Sequence, residues 1–486
     1  MKLPLSAEFL QIATFVGYFI VLIGVALLSL RKQYDESDFI IGGRSLNFWL
    51  TALSAHASDM SSWLFLGYPA LIFTTGMSGA WAAIGLVVFM FLNWHLIAPK
   101  IRTVTEQTNS LTLSSYFETR YGDTSGSIRL VSAVMSVLFY TFYITSGLVG
   151  MGILVESLFG LHYILGISIG LFIVVLYVFL GGYRTVAWID LFQGFFLLGV
   201  IALIPTILIV RAGGFGPIMD AVGSAHLTTS LIPNFSFKSL TDQVMVALGW
   251  GLGYFGQPHI ITKFMGIRQV SDMYKAKYLG ISWQTIALAS ATAIGLIGVY
   301  VFPGGIHNSE RVVLDIVKAT LPTFFAGLTL CAILAATTNV MAAQILVVAS
   351  NLSEDFYRRL IRRNPSSVEL LWISRTSVIL ISALAFVIAF FKISTIYQLV
   401  LYSWSGLGAS FGPLLVLSLY RKHLNKYGAF AGILVGGFTA AVWAYHNPLY
   451  EWGIPSLVAG FVLGILAIEG VSFLTRNRVS PKKRTR

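Results

Sequence analysis

The stretch Ser54-Ala55-His56-Ala57-Ser58-Asp59-Met60-Ser61-Ser62-Trp63 puts five polar side chains and a carboxylate in the middle of an apolar run. The run, 46–75, is longer than the roughly 20 residues that carry a helix across the hydrocarbon core. Polar groups at that depth need partners or a cavity. The sequence therefore predicts a spanning helix that is interrupted near its middle.

A second run, 241–262, carries the same kind of fault. It contains Gly249-Trp250-Gly251-Leu252-Gly253-Tyr254-Phe255-Gly256-Gln257-Pro258-His259, four glycines and a proline within eleven residues. These weaken a helix from inside. Around the two interrupted runs the chain offers thirteen candidate spans, near 9–30, 46–75, 79–99, 130–157, 161–181, 186–210, 241–262, 278–302, 323–350, 370–391, 394–419, 428–446 and 454–474. Counting five spans from each interruption gives two halves, 46–210 and 241–419. Interrupted helices at matching positions of two halves point to an inverted-repeat transporter whose site lies where the breaks face each other. Span 9–30, the pair 428–474 and the basic tail 475–486 lie outside the repeats, and the whole chain 1–486 reads as one membrane domain. Gly428, Gly432 and Gly436 recur every four residues, which suits close helix packing.

Composition agrees. Of 486 residues 56% are hydrophobic and 11% charged, against about a quarter charged in soluble proteins. The mean hydropathy is +0.79. The net charge of +12 and pI near 9.6 would suggest nucleic acid on a soluble chain. Placed on the thirteen-span scheme with the N-terminus outside, 26 of the 32 Lys and Arg residues fall on the inner side. That is the positive-inside pattern, so the basic excess reads as orientation and lipid contact rather than a nucleic-acid partner. One cysteine, Cys331, leaves no internal disulfide and no cysteine metal site.

The chain resembles the solute:sodium symporter family. The residues that carry the resemblance are Gly42-Gly43-Arg44-Ser45-Leu46, Thr51 to Ala55, Ala57-Ser58-Asp59-Met60-Ser61, Gly181-Gly182, Gly249 to His259 and Ser353-Glu354-Asp355. The resemblance implies an all-α membrane fold of thirteen helices with a five-plus-five core of the leucine-transporter type. It implies uptake of a small solute, proline, driven by sodium as the coupling ion and with no other cofactor, in a bacterial inner (plasma) membrane.

It also implies roles for individual residues. Asp59 matches the carboxylate important for sodium, with the carbonyls of Ala57, Met60 and Ala336 as ligands. Trp250, Tyr254 and Pro258, spaced by four, match the proline site, with Tyr143, Ser61 and Ser62 beside them. Read from spacing alone, the three form either a packed aromatic face or an apolar wall that fits a pyrrolidine ring. The family member nearest in these motifs has glycine where Ser62 stands, so the extra hydroxyl is expected to narrow or re-polarise the pocket. The stretch Ala335-Ala336-Thr337-Thr338-Asn339-Val340 departs from the pattern, because the family carries adjacent hydroxyl residues at the positions of Asn339 and Val340. Asn339 offers an amide oxygen and Val340 offers none, while helical spacing points Thr337 and Thr338 elsewhere.

His56 lies three residues before Asp59, so the two can share a helix face, and histidine titrates near neutral pH. A proton carried by His56 and Asp59 is therefore the alternative to sodium, against a histidine satisfied by local hydrogen bonds. Asp190, near the start of a span, reads from its position as an interfacial cap or a partner of Arg184, while the resemblance implies a role in ion-coupled transport. No P-loop is present, so ATP hydrolysis is not supported. A sensor would need an output domain, and the tail is only a short basic segment. A membrane enzyme would need a nucleophile or ligand cluster, and the sequence shows none.

Overall fold

The computed structural model describes residues 7–29, 36–233, 235–362, 364–443 and 453–478. Arg31, Lys32, Arg363 and the basic residues 482–486 of the tail lie outside the described residues. Among the described residues the fold is helical throughout, apart from two isolated bridges, Leu46 with Ile267 and Gly76 with Thr228. Among the described residues, eight helices are long and apolar enough to cross a membrane, and four further apolar helices run 10–17 residues. The seventh predicted span belongs to neither group: its first piece, Phe237–Gly251, is 15 residues long but carries Lys238, Thr241, Asp242 and Gln243.

The elements that build the site are α1 (Phe48–Ala57), α2 (Trp81–Leu92), α3 (Ser127–Phe159), α4 (Tyr163–Arg211), α5 (Phe237–Gly251), α6 (Pro258–Met265), α7 (Met273–Val301), α8 (Thr323–Ser350) and α9 (Ile396–Tyr420). Both predicted interruptions are present. After α1 the chain unwinds over Ser58–Ser61 and resumes in a short 3-10 turn, Ser62–Leu64. Between α5 and α6 it tightens into a 3-10 turn, Leu252–Gly256, and then extends at Gln257 (φ −91°, ψ 101°). Within α4, Gly182 (φ 57°, ψ −159°) adopts a conformation open in practice only to glycine, and there the fifth predicted span turns into the sixth.

The entry to α1 and the exit from α6 are strapped together. The Leu46 N–H donates to the Gly266 carbonyl (3.1 Å), and the Arg268 N–H donates to the Leu46 carbonyl (2.7 Å). Arg44 donates to the carbonyls of Met265, Thr105 and Ser110 at 2.8–3.0 Å. Burial and the neighbouring Arg102 lower its pKa to about 10, so it stays charged near neutral pH. The two broken helices thus share one rigid end. Gly428, Gly432 and Gly436 pack as their spacing suggests. A Cβ at Gly428 would lie 2.0 Å from Ser472 Oγ, and one at Gly436 would lie 2.1 Å from the Ala409 carbonyl.

Candidate functional site

Asn47 starts α1 by accepting the Leu50 N–H at 2.9 Å. The helix ends when the Ser58 N–H reaches Ser54 (3.2 Å) and the Asp59 N–H reaches only His56 (3.3 Å). Ser61 then takes φ 24°, ψ −171°, and its hydroxyl accepts the Trp63 N–H at 3.1 Å. This turn aims Asp59 at the second break, where the Tyr254 hydroxyl donates to Asp59 Oδ2. Tyr254 in turn accepts from Gln284 Nε2 of α7 at 2.8 Å. Asp59, Tyr254 and Gln284 are all buried.

Around this pair a cavity is lined by Asp59, Met60, Ser61, Trp63, Leu86, Tyr143, Trp250, Tyr254 and Trp404. Its free space is enough for about one water molecule. Trp63 and Trp250 lie 4.8 Å apart, Trp250 and Tyr397 5.7 Å, and Tyr254 meets Trp404 edge-on at 5.1 Å. The Trp404 indole donates to the Trp250 carbonyl at 2.7 Å, which draws α9 onto the second break. Gly253 permits this approach, since a Cβ there would lie 2.0 Å from Trp404 Nε1. The site is a narrow aromatic box with one carboxylate and unwound backbone at its edge. That chemistry suits a small zwitterion with an apolar body.

Asp59, Met60, Ser61, Tyr143, Trp250 and Tyr254 thus come together. Pro258 does not line the box. It faces a second cavity towards the basic end of the bundle, with His259, Thr262, Lys263, Tyr183, Ala343 and Asn351. Ser62 also turns away. Its Cβ lies 2.9 Å from where a Cβ of Gly150 would be, so the side chain packs against α3. Among the described residues its buried hydroxyl has no partner.

Helix α8 packs against both α1 and the turn that follows it. Ala336, Asn339 and Val340 are buried on it. Both side-chain amide atoms of Asn339 lack a hydrogen-bond partner among the described residues. The α8 helix is continuous, and the Thr337 and Thr338 hydroxyls bond back to Ile333 and Leu334 (2.7 and 2.9 Å), so no register shift brings them round.

His56 does not share an environment with the Asp59 carboxylate. Its Nε2 accepts the Trp94 indole N–H at 3.0 Å, and its ring packs beside Trp94 and Trp283. Asp190 is not an interfacial partner of Arg184. It is wholly buried, 2.9 Å from Lys263 Nζ and 2.5 Å from Ser54 Oγ. The α4 helix carries it inward, to face α1 and α6. The sequence reading missed Trp63, Leu86, Gln284, Lys263, Asn93, Trp94 and Trp404. Most lie in apolar runs whose helix phase becomes meaningful only once the partners are placed. Lys263 lies one residue beyond the predicted 241–262 span and four residues after the Gly249–His259 string, so its place at the span edge is visible in the sequence.

The chain matches the sodium:solute symporter family over residues 39–436. It is 37% identical over 469 residues to the high-affinity proline transporter PutP of Bacillus subtilis, covering 95% of each chain. It is 35% identical over 473 residues to the sodium/proline symporter of Escherichia coli, covering 96% of this chain and 93% of the relative. In fold it is similar to a Na+-coupled sialic acid symporter solved in a substrate-bound outward-open state, with a TM-score of 0.82, 19% identity and 98% of this chain and 99% of that one covered. It is also similar to MhsT in complex with L-phenylalanine, with a TM-score of 0.56, 13% identity and 88% and 98% covered.

Proposed function

The chain belongs to the sodium:solute symporter family, and on that premise we propose that it takes up proline together with sodium by alternating access. It is an integral membrane transporter of a small solute and not an enzyme. The observation that carries the reading is the bond between Tyr254 and Asp59, which joins the two broken helices at the wall of an aromatic box. The box would widen from its one-water space for Trp250, Tyr254, Trp63 and Tyr143 to enclose the pyrrolidine ring, and the unwound Ser58–Ser61 backbone would meet its charged ends. Names of relatives support the choice of proline, since they are described as proline transporters.

Sodium would sit where the Ala57 carbonyl is released and α8 packs against the break, with Asp59 nearby and Asn339 as the side-chain oxygen. The Met60 carbonyl already accepts the Leu64 N–H at 3.1 Å and would offer its second lone pair. Sodium binding would favour the state open to the outside, and low inner sodium would release both cargoes after the two bodies rock. Coupling requires that the ion bind the two states with different affinity. The basic end is then the cytoplasmic one, with the N-terminus outside and the C-terminus inside, in a bacterial plasma membrane.

A second reading, a proton in place of sodium, rests on Val340, which supplies no oxygen where the ion would lie. His56 is a poor carrier, because Trp94 occupies its Nε2 lone pair. The test is uptake of labelled proline into proteoliposomes with sodium and proton gradients imposed separately, run against a panel of amino-acid and carboxylate competitors. Sodium-driven accumulation at zero pH gradient, blocked by excess proline, is the expected result. Accumulation driven only by the proton gradient, or strong competition by another solute where proline competes poorly, would remove the corresponding half of the reading.

A further inference from the structure

The helix that begins at Trp81 does not run regularly to Gln107. Pro99 has no N–H, and in a regular helix its ring would press on the carbonyl of His95. The chain answers with one wide turn, Asn93–Ile97, in which the Ala98 N–H reaches back five residues to the Asn93 carbonyl. Such turns insert a residue and re-aim the side chains before them. Here Asn93 and Trp94, adjacent in sequence, both point into the protein and are 0% and 1% exposed.

Each grips one break. Asn93 Nδ2 donates to the Tyr254 carbonyl at 3.0 Å. In a regular helix that carbonyl would accept the N–H of residue 258, and residue 258 is a proline. Asn93 thus supplies the bond that Pro258 deletes. Trp94 Nε1 donates to His56 Nε2 at 3.0 Å, and the His56 carbonyl accepts the Asp59 N–H at 3.3 Å. Space for the His56 ring exists because residue 280 is glycine, since a Cβ there would lie 2.2 Å from Nε2. The two members of the Tyr254–Asp59 pair are therefore each held by one of two neighbouring residues. Neither Asn93 nor Trp94 lines the box.

We propose that the wide turn Asn93–Ile97 is a clamp that sets the two breaks relative to each other, with Asn93 and Trp94 as positioning residues for solute and ion. The inference deepens the symport reading and rests on it for what the clamped site binds. Because one turn holds both breaks, a shift at the ion-side break is carried to the solute wall. This is a physical route for coupling between two ligands.

The test uses two variants of the full-length protein. Asn93→Ala removes the bond to Tyr254, and Trp94→Phe removes the indole N–H, with some ring volume, while keeping an aromatic ring against Phe264. Hydrogen–deuterium exchange without solute should quicken at 252–257 in the first variant and at 57–62 in the second, by about tenfold, with other spans unchanged. In proteoliposomes, both variants should raise the proline KM and the half-saturating sodium concentration together, by about tenfold. A merely structural role would raise exchange across the molecule and lower yield without moving KM. Exchange and KM within about twofold of wild type in both variants would overturn the clamp. If wild type fails to take up proline while the two segments still loosen selectively, the symport reading falls and the clamp stands.

Discussion

Lys263 Nζ lies 2.9 Å from Asp190 Oδ2, with both side chains at 2% exposure or less. Ser54 Oγ donates to the same oxygen at 2.5 Å. Lys263 and Ser54 sit on the two broken helices, and Asp190 sits on the kinked helix α4. A buried ion pair therefore fastens the broken pair to its neighbour at the basic end of the bundle.

Removing one partner of a buried pair strands the other charge, which costs about 3–5 kcal/mol, whereas replacing both with apolar groups of similar volume is often neutral. Asp190→Ala and Lys263→Ala should each lower the melting temperature of the purified protein markedly. The double variant Asp190→Leu/Lys263→Met should recover most of the loss. Thermal unfolding in detergent reads this directly. Additive losses in the double variant would show that the two residues do not act as a pair.

Tyr254→Phe leaves the Asp59 carboxylate without its hydroxyl donor and Gln284 Nε2 without its acceptor, while the ring still fills the box. Stranding buried polar groups costs about 1–3 kcal/mol, or roughly 5- to 150-fold in an equilibrium constant. The proline KM and the half-saturating sodium concentration should both rise within that range, with the folded yield preserved. Initial rates of uptake at varied sodium and proline measure both. A change in one constant alone would mean that the hydroxyl serves one ligand rather than joining two.

The fold was legible because lipid enforces a simple rule: every backbone group must be satisfied within the protein. Polar residues and glycines inside long apolar runs could therefore mean only a break. Asp59, Trp250 and Tyr254 stood out as residues at those breaks. Other features were not local. The partner of Asp190 is 73 residues away in sequence, so the nearby Arg184 was the natural candidate. Ser61 at φ 24° resets the helix phase, so the direction of Ser62 could not be read from spacing. Asn93 and Trp94 sit in an ordinary apolar run, and their only signal is Pro99 a few residues later.

Gly150 and Ser62 form a size-matched pair. A Cβ on Gly150 would lie 2.9 Å from the Ser62 Cβ and 3.1 Å from its Oγ. Gly150→Ala should overpack this contact and cost about 1–3 kcal/mol, and adding Ser62→Gly should restore stability. Ser62→Gly alone should leave the proline KM within about twofold, because its hydroxyl faces α3 and not the box. Melting temperatures and uptake of the three variants check this. A changed competitor ranking in Ser62→Gly would return Ser62 to the pocket wall.

Asn339 and Val340 bear on the identity of the ion. The Asn339 amide is buried with neither polar atom partnered, and Val340 beside it is 1% exposed. An unpaired buried amide costs about 1–3 kcal/mol, a cost that a bound cation would offset at its oxygen. Sodium should therefore raise the melting temperature of the wild type relative to choline at equal ionic strength, since a ligand that binds only the folded state stabilises it. Asn339→Ala should abolish that rise. Val340→Thr should enlarge it and lower the half-saturating sodium concentration by about tenfold, equivalent to one added oxygen ligand worth about 1.4 kcal/mol. The new hydroxyl would donate its hydrogen to the Ala336 carbonyl, as Thr337 and Thr338 do to their own preceding turns, and so keep a lone pair for the ion. If sodium leaves all three melting curves unchanged while uptake still follows the proton gradient, the ion site does not lie on α8 and the proton becomes the coupling ion.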